Sequence, residues 1–315
     1  MKERIIIDCD PGQDDAINLL LALSSPDDLE VLGITTVAGN VPLDRTQRNA
    51  RMMCDIAGRS DVPVFAGCAH PIARPLVTAE NVHGKTGIDG VDLFEPRQRL
   101  ETRHAVDFIV DTLLQADDAT VTLVPTGPLT NIATAIRRNP SVVPKIRHIV
   151  LMGGAMREGG NTTPSAEFNI YVDPQAAETV FACGRPITAM GLDVTHKVLA
   201  SSARIARIKA LGNVPAKATA GMLEFFSRHD TGKYGVDGAP LHDPCTVAFL
   251  LKPQLFQGKL CNIAIETQSA LTLGHTAVDF WGVSRRPKNA TWVYDVDADG
   301  FYELLSARLA RFGAG

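Results

Sequence analysis

The stretch Ile5-Ile6-Ile7-Asp8-Cys9-Asp10-Pro11-Gly12-Gln13-Asp14-Asp15, residues 5–15, sets three isoleucines directly ahead of four carboxylates in eight residues. A short apolar run without polar alternation reads as a strand buried on both faces, as in the middle of a parallel sheet. Working outward, similar runs recur at Val31 to Val37, Val62 to Ala66, Thr120 to Val124, Ile149 to Met152 and Ile187 to Met190. Between them lie segments of helical period near 14–24, 43–57, 103–116, 129–138 and 174–183, some opened by Pro128 or by Asp173-Pro174. From about residue 200 the pattern turns more helical, through Ser201 to Leu211, Pro215 to Ser227 and Asp243 to Leu251. Short strands follow near 261–266 and 291–296, then a last helix at about 299–311. This alternation predicts an α/β fold: a single open, mostly parallel, Rossmann-like sheet flanked by helices, with a more helical C-terminal part. No repeat or Pro/Gly/Ser-rich linker divides the chain, so residues 1–315 are expected to form one domain.

Composition narrows the partner. A net charge of −4 with 21% charged residues gives no broad positive field, so no nucleic acid or anionic membrane partner is expected; a small molecule is. The 45% hydrophobic content over 315 residues is enough for a large core. Six cysteines without a C-x-x-C pair read as reduced thiols rather than a disulfide framework or a zinc site. Met1-Lys2-Glu3-Arg4 leads straight into the first strand, and no apolar run approaches the ~20 residues of a membrane span, which reads as a cytoplasmic protein.

The acidic cluster falls where chemistry sits in such sheets, at the carboxyl end of a strand and the start of the next helix. One aspartate would suit a helix N-terminus. Four overshoot that need, because carboxylates within ~5 Å of one another raise each other's pKa or recruit a cation. All-oxygen donors without a paired histidine or thiolate site favour a hard divalent ion, Ca²⁺ or Mg²⁺, over zinc. An EF-hand loop counted from Asp8 fails, since its fifth residue is Gly12 and its twelfth Leu19. A haloacid-dehalogenase-like phosphatase would carry Thr or Val where Gly12 stands, and no P-loop G-x-x-x-x-G-K-[ST] occurs at a strand end.

Other strand ends are expected to converge on the same crevice. Val37 runs into Ala38-Gly39-Asn40, placing an amide at the rim. Pro125-Thr126-Gly127-Pro128 forms a rigid turn whose carbonyls suit calcium, and Met152-Gly153-Gly154 would let a ligand approach the backbone. Asn161 to Asn169 is dense in groups that bond hydroxyls, and Leu241-His242-Asp243-Pro244 adds a histidine and a fifth carboxylate at a helix start. The long loops at 78–97 and 229–242 suit lids or site walls.

With these motifs together, the chain resembles the nucleoside hydrolases, and most closely the inosine-uridine or pyrimidine-preferring ribonucleoside hydrolases. The resemblance spans nearly the whole chain through D-C-D-P-G-x-D-D at 8–15, V-A-G-N at 37–40, V-P-T-G-P-L-T-N at 124–131, L-M-G-G at 151–154, A-E-F-N at 166–169 and H-D-P at 242–244. It implies that Ca²⁺ is held by Asp10, Asp15, the carbonyl of Thr126 and Asp243, with the ribose 2′- and 3′-hydroxyls and a water completing the shell. It implies that Asp10 is also the general base. Asp14, Asn161, Glu167 and Asn169 would hold ribose hydroxyls, with Asn40 beside the water and the sugar, counted here among the catalytic residues. Met152 would lie against the sugar, and Phe168 of A-E-F-N within the substrate site. His83 and His242 match histidines placed around the base, His242 being the usual candidate for assisting the leaving group. Tyr234 and the 225–240 segment would line the base side.

The implied reaction breaks an N-glycosidic bond through an oxocarbenium-like state, with positive charge growing on the ribose and negative charge on the base. Carboxylates and a cation serve the first, a histidine the second. The His83 and His242 pair leans toward uridine, cytidine and inosine as substrates, with nucleoside salvage as the role. The resemblance implies a homotetramer or dimer. The rival readings are a non-catalytic nucleoside- or ribose-binding protein, and a metal-dependent phosphatase.

Overall fold

The structure is a computed structural model describing residues 2–234 and 238–313, with backbone only for 228–234. Its elements in chain order are β1 (Glu3–Cys9), α1 (Gln13–Leu23), β2 (Leu29–Thr36), α2 (Leu43–Ile56), β3 (Val64–Ala66), α3 (Glu80–His83), α4 (Ala105–Gln115), β4 (Val121–Pro125), α5 (Thr130–Arg138), β5 (Ile146–Met152), α6 (Phe168–Val172), α7 (Pro174–Phe181), β6 (Ile187–Met190), α8 (Leu192–Thr195), α9 (Ser202–Lys209), α10 (Val214–Tyr234), α11 (Pro244–Leu251), β7 (Phe256–Ile265), β8 (Thr276–Asp279), β9 (Ala290–Val296) and α12 (Ala298–Leu309).

The isoleucine run decides the arrangement as its pattern predicts. Ile5 and Ile7 pack into the core layer shared with α1, α2 and α9 to α12, while Ile6 faces the opposite layer, made with α4, α5 and α7. Both faces of β1 are therefore apolar, and each fully buried isoleucine contributes about 1.5–3 kcal/mol. The described strands form one nine-stranded sheet in the order β3-β2-β1-β4-β5-β6-β9-β7-β8. The pairs from β3 through β6 to β9 are parallel, whereas β7 pairs antiparallel with both β9 and β8. The fold is thus an open, mostly parallel α/β sheet with helices on both faces.

Successive strands leave β1 in opposite directions, toward β2 and toward β4, which opens a crevice at its carboxyl end. There the backbone continues the pairing: Val37 N–H donates to the Cys9 carbonyl at 3.0 Å and Thr126 N–H to the Asp8 carbonyl at 2.8 Å.

Several expectations needed revision. α10 runs past Ser227 to Tyr234, and β8 and the short helices α3, α6 and α8 had not been foreseen. The C-terminal third keeps the two expected strands, as β7 and β9, among its helices. No helix among the described residues is long and apolar enough to cross a membrane, and all six cysteines are free.

Candidate active site

The turn after β1 delivers the acidic groups in two layers. Asp10 and Asp15 are fully buried beneath the crevice, whereas Asp14 and Asp243 reach its surface. Asp14 and Asp15 occupy the first turn of α1, where the helix dipole favours negative charge. Asp15 is held by three donors: Gly12 N–H at 3.1 Å and Asn40 Nδ2 at 3.2 Å to Oδ2, and the Thr126 hydroxyl at 2.7 Å to Oδ1. Asp10 Oδ2 accepts Asn40 N–H at 2.6 Å. Its Oδ1 has no partner, nor has Asp14 Oδ1, although both are buried.

Two glycines make this approach possible. A Cβ on Gly39 would lie 2.1 Å from Asp10 Oδ2, and one on Gly127 2.5 Å from Asp10 Oδ1. The glycines of V-A-G-N and P-T-G-P thus clear the space around one carboxylate.

The electrostatic cost is plain. Burial foremost, then the charge of Asp15, pushes Asp14 up to about 7, and burial pushes Asp15 up to about 6. Burial and neighbouring carboxylates hold Asp10 and Asp243 well above the ordinary carboxylate range. One ligand oxygen from each of Asp14, Asp15 and Asp243 lies within 4.8 Å of the others. That tightest group shares Asp15 and Asp243 with the expected ligand set and contains Asp14 in the place of Asp10. The orphaned Asp10 Oδ1 nevertheless leaves Asp10 with an oxygen available to a cation. Buried carboxylate oxygens without donors, gathered this closely, fit a hard divalent ion.

Asp8 departs from the sequence reading. β1 ends at Cys9, so Asp8 stays on the face of Ile6, accepting the Thr35 hydroxyl at 2.5 Å and Asn131 Nδ2 at 2.8 Å on Oδ1. It ties β1 to β2 and α5 and does not line the crevice. Burial pushes its carboxyl up to about 7.

The crevice is lined on its polar side by Asp14, Asn40, Thr126, Asn161, Glu167 and Asn169, with Met152 and Phe168 against them. Glu167 caps α6, accepting N–H groups from Asn169 at 2.9 Å, Gly154 at 2.9 Å and Ile170 at 3.2 Å. Burial raises its carboxyl, and those backbone donors oppose the shift. Asn169 Nδ2 donates to the Thr126 carbonyl at 2.7 Å and the Met152 carbonyl at 3.3 Å, turning its Oδ1 toward acceptor duty. Asn161 Oδ1 accepts Phe168 N–H at 3.0 Å, leaving its Nδ2 as the donor. Gly153 and Gly154 clear room for the protein rather than for a ligand: a Cβ on Gly154 would meet Thr276 Oγ1 at 2.7 Å.

The other side carries the histidines. His83 lies parallel to Phe226 with centroids 5.5 Å apart. Gln13 Nε2 donates to the carbonyls of His83 at 3.0 Å and Asp89 at 3.2 Å, so its Oε1 accepts, at 2.7 Å, and Nδ1 of His83 carries the hydrogen. His242 Nδ1 sits 2.7 Å from the Thr195 hydroxyl. Burial, then His196 and His83, holds His242 well below the ordinary histidine value, so its ring is neutral near pH 7. Phe226 and Pro240 place part of the 225–240 segment on this wall as expected; the Tyr234 side chain lies outside the described residues. Gln13, Val82 and His196 were missed, because isolated residues carry no spacing that marks them.

Residues 5–303 match the family described as inosine-uridine preferring nucleoside hydrolase. The chain belongs to the nucleoside hydrolase family. As a nucleoside hydrolase it is an N-glycosyl hydrolase of ribonucleosides, which sets aside the phosphatase and non-catalytic readings. It is 51% identical over 308 residues to an uncharacterized protein of Schizosaccharomyces pombe, covering 98% of this chain and 99% of that one. It is 48% identical over 313 residues to the pyrimidine-specific ribonucleoside hydrolase RihA of Photobacterium profundum, covering 99% and 100%. The solved purine-preferring ribonucleoside hydrolase from Gardnerella vaginalis superposes with a TM-score of 0.91 at 32% identity, covering 99% of each chain.

Proposed function

We propose that this nucleoside hydrolase is calcium-dependent and cleaves uridine, cytidine and inosine to free base and ribose, for nucleoside salvage in the cytoplasm. The observation that carries the reading is the set of buried, partnerless carboxylate oxygens on Asp10 and Asp14 beneath a polar crevice. The pyrimidine preference draws on the name of the Photobacterium relative, which is more similar in sequence than the purine-preferring Gardnerella enzyme. One domain over residues 1–315, supported by the single continuous sheet, and a homotetramer or dimer complete the reading.

Asp10, Asp15, Asp243 and the Thr126 carbonyl would hold Ca²⁺, with Asp14 adjoining. A bound calcium ion would supply a fixed positive charge that gathers the ribose 2′- and 3′-hydroxyls and acidifies the attacking water. Asp10 takes the proton of that water, and Asn40, whose N–H and Nδ2 are spent on Asp10 and Asp15, keeps the two carboxylates apart. Asn161 donates to the sugar, Asn169 accepts from it, and Asp14 and Glu167 bear on the positive charge that grows there. Met152 and Phe168 close the sugar pocket. His83, Phe226 and a neutral His242 meet the base, His242 as a hydrogen-bonding group.

A product assay with uridine, cytidine, inosine and adenosine tests the reading. The expected result is free uracil and cytosine with ribose, slower release of hypoxanthine, and little release of adenine. A clear preference for adenosine would overturn the assigned base preference.

A further inference from the structure

We propose that His196, aimed by Glu158, hands its Nε2 proton to the departing nucleobase, an inference that rests on this crevice being the ribonucleoside site. His196 lines the crevice as the residue following α8, directly after the Thr195 that holds His242. Its ring lies 5.7 Å from that of His242, tilted by 60°, so two imidazoles flank the same wall. Glu158 Oε2 stands 3.0 Å from His196 Nδ1. A carboxylate only accepts, so Nδ1 carries a hydrogen, and when the ring is protonated Nε2 carries the other.

The pair is poorly placed to serve stability. Its side chains are 32% and 46% exposed, and ion pairs of that kind are worth about 0–1 kcal/mol. Yet the loop that brings Glu158 is firmly anchored. The buried Asp193 carboxylate accepts Met156 N–H at 2.7 Å and Arg157 N–H at 2.8 Å, and Leu192 N–H donates to the Gly154 carbonyl at 2.9 Å. Residues 154–157 are thereby fastened to the first turn of α8, and Glu158 arrives beside the ring. The His196 side chain is 32% exposed, so its proton can be replaced from bulk water after each turnover.

The step balances. The C1′–N bond breaks with its electron pair on the base; the Nε2–H bond of His196 breaks and that proton joins the base. The water oxygen bonds C1′ while Asp10 takes a water proton. Asp10 then releases one proton to solvent and His196 recovers one, so nucleoside and water become ribose and free base. Glu158 is a positioning residue: it orients the ring and does not touch substrate.

The test compares the wild type, H196Q and E158Q on uridine and on p-nitrophenyl β-D-ribofuranoside, whose nitrophenolate leaves without a proton. For H196Q, kcat on uridine is expected to fall by about 10²-fold or more, while kcat on the nitrophenyl riboside stays within about twofold. E158Q should show a smaller fall on uridine in kcat, with KM unchanged, and again none on the nitrophenyl riboside. Equal losses on both substrates, or no loss on either, would overturn the proposal. Should the wild type prefer inosine over uridine, the base preference proposed above fails, and the same ratio measured with inosine still decides the role of His196.

Discussion

Asp10 is the residue on which the site turns, and its surroundings explain why so few neighbours are permitted. One oxygen is fixed by Asn40 N–H at 2.6 Å and the other is buried beneath the crevice without a donor. D10N keeps the shape but removes the base and a ligand charge together, so turnover should drop at least ~10²-fold by initial-rate measurement; near-normal turnover would end that assignment. Gly127→Ala tests the space instead. Its Cβ would stand 2.5 Å from Asp10 Oδ1, so the variant should lose about 1–3 kcal/mol of stability in urea unfolding, with a parallel loss of turnover. At this scale the letters showed the carboxylates and the asparagines, since each sits in a dense stretch, whereas His83 came only through the family resemblance. Gln13 and His196 were invisible, because the partners that give them meaning, the His83 ring 70 residues along and Glu158 38 residues back, meet only through folding.

At the scale of elements, strand alternation sorts the motif into two jobs. Asp8 falls on the Ile6 face, where Asn131 of α5 and Thr35 of β2 satisfy one oxygen; Asp10, past the strand end, lies beneath the crevice against Asn40. Asn131→Ala would strip a donor from Asp8 and leave Cys68 N–H without its Oδ1 acceptor. Leaving buried polar groups unmet costs about 1–3 kcal/mol, so the midpoint of urea unfolding should fall accordingly, whereas an unchanged midpoint would mean the bridge is idle. The strands β1 to β6 and the longer helices could be read from their periodicity. The helices α3, α6 and α8, of four or five residues, could not, because one turn shows no repeat. β8 is held by pairing with β7 and by the Ala166–His275 bridge, contacts that lie outside any local pattern.

For the whole molecule, the acidic cluster couples proton binding to folding. Asp14 at about 7 and Asp15 at about 6, with Asp10 and Asp243 also raised, mean that the cation-free fold holds protons that the unfolded chain, near the ordinary value of 3.8, has released. Native protein thus binds more protons between about pH 4 and pH 7, and the cluster's contribution to stability falls as pH rises through that window. Calcium competes with those protons. Its effect on Tm should therefore be small at pH 5 and grow toward pH 7.5, where a hundredfold excess over Kd is worth about 2.7 kcal/mol. A calcium shift in Tm that is independent of pH would show that the ion binds elsewhere.

The most direct measurement is hydrolysis of uridine by chelator-stripped protein as calcium is returned. Activity should be absent after stripping and recover in proportion to calcium up to one ion per chain. Full turnover in the stripped protein, with no response to added calcium, would contradict the account.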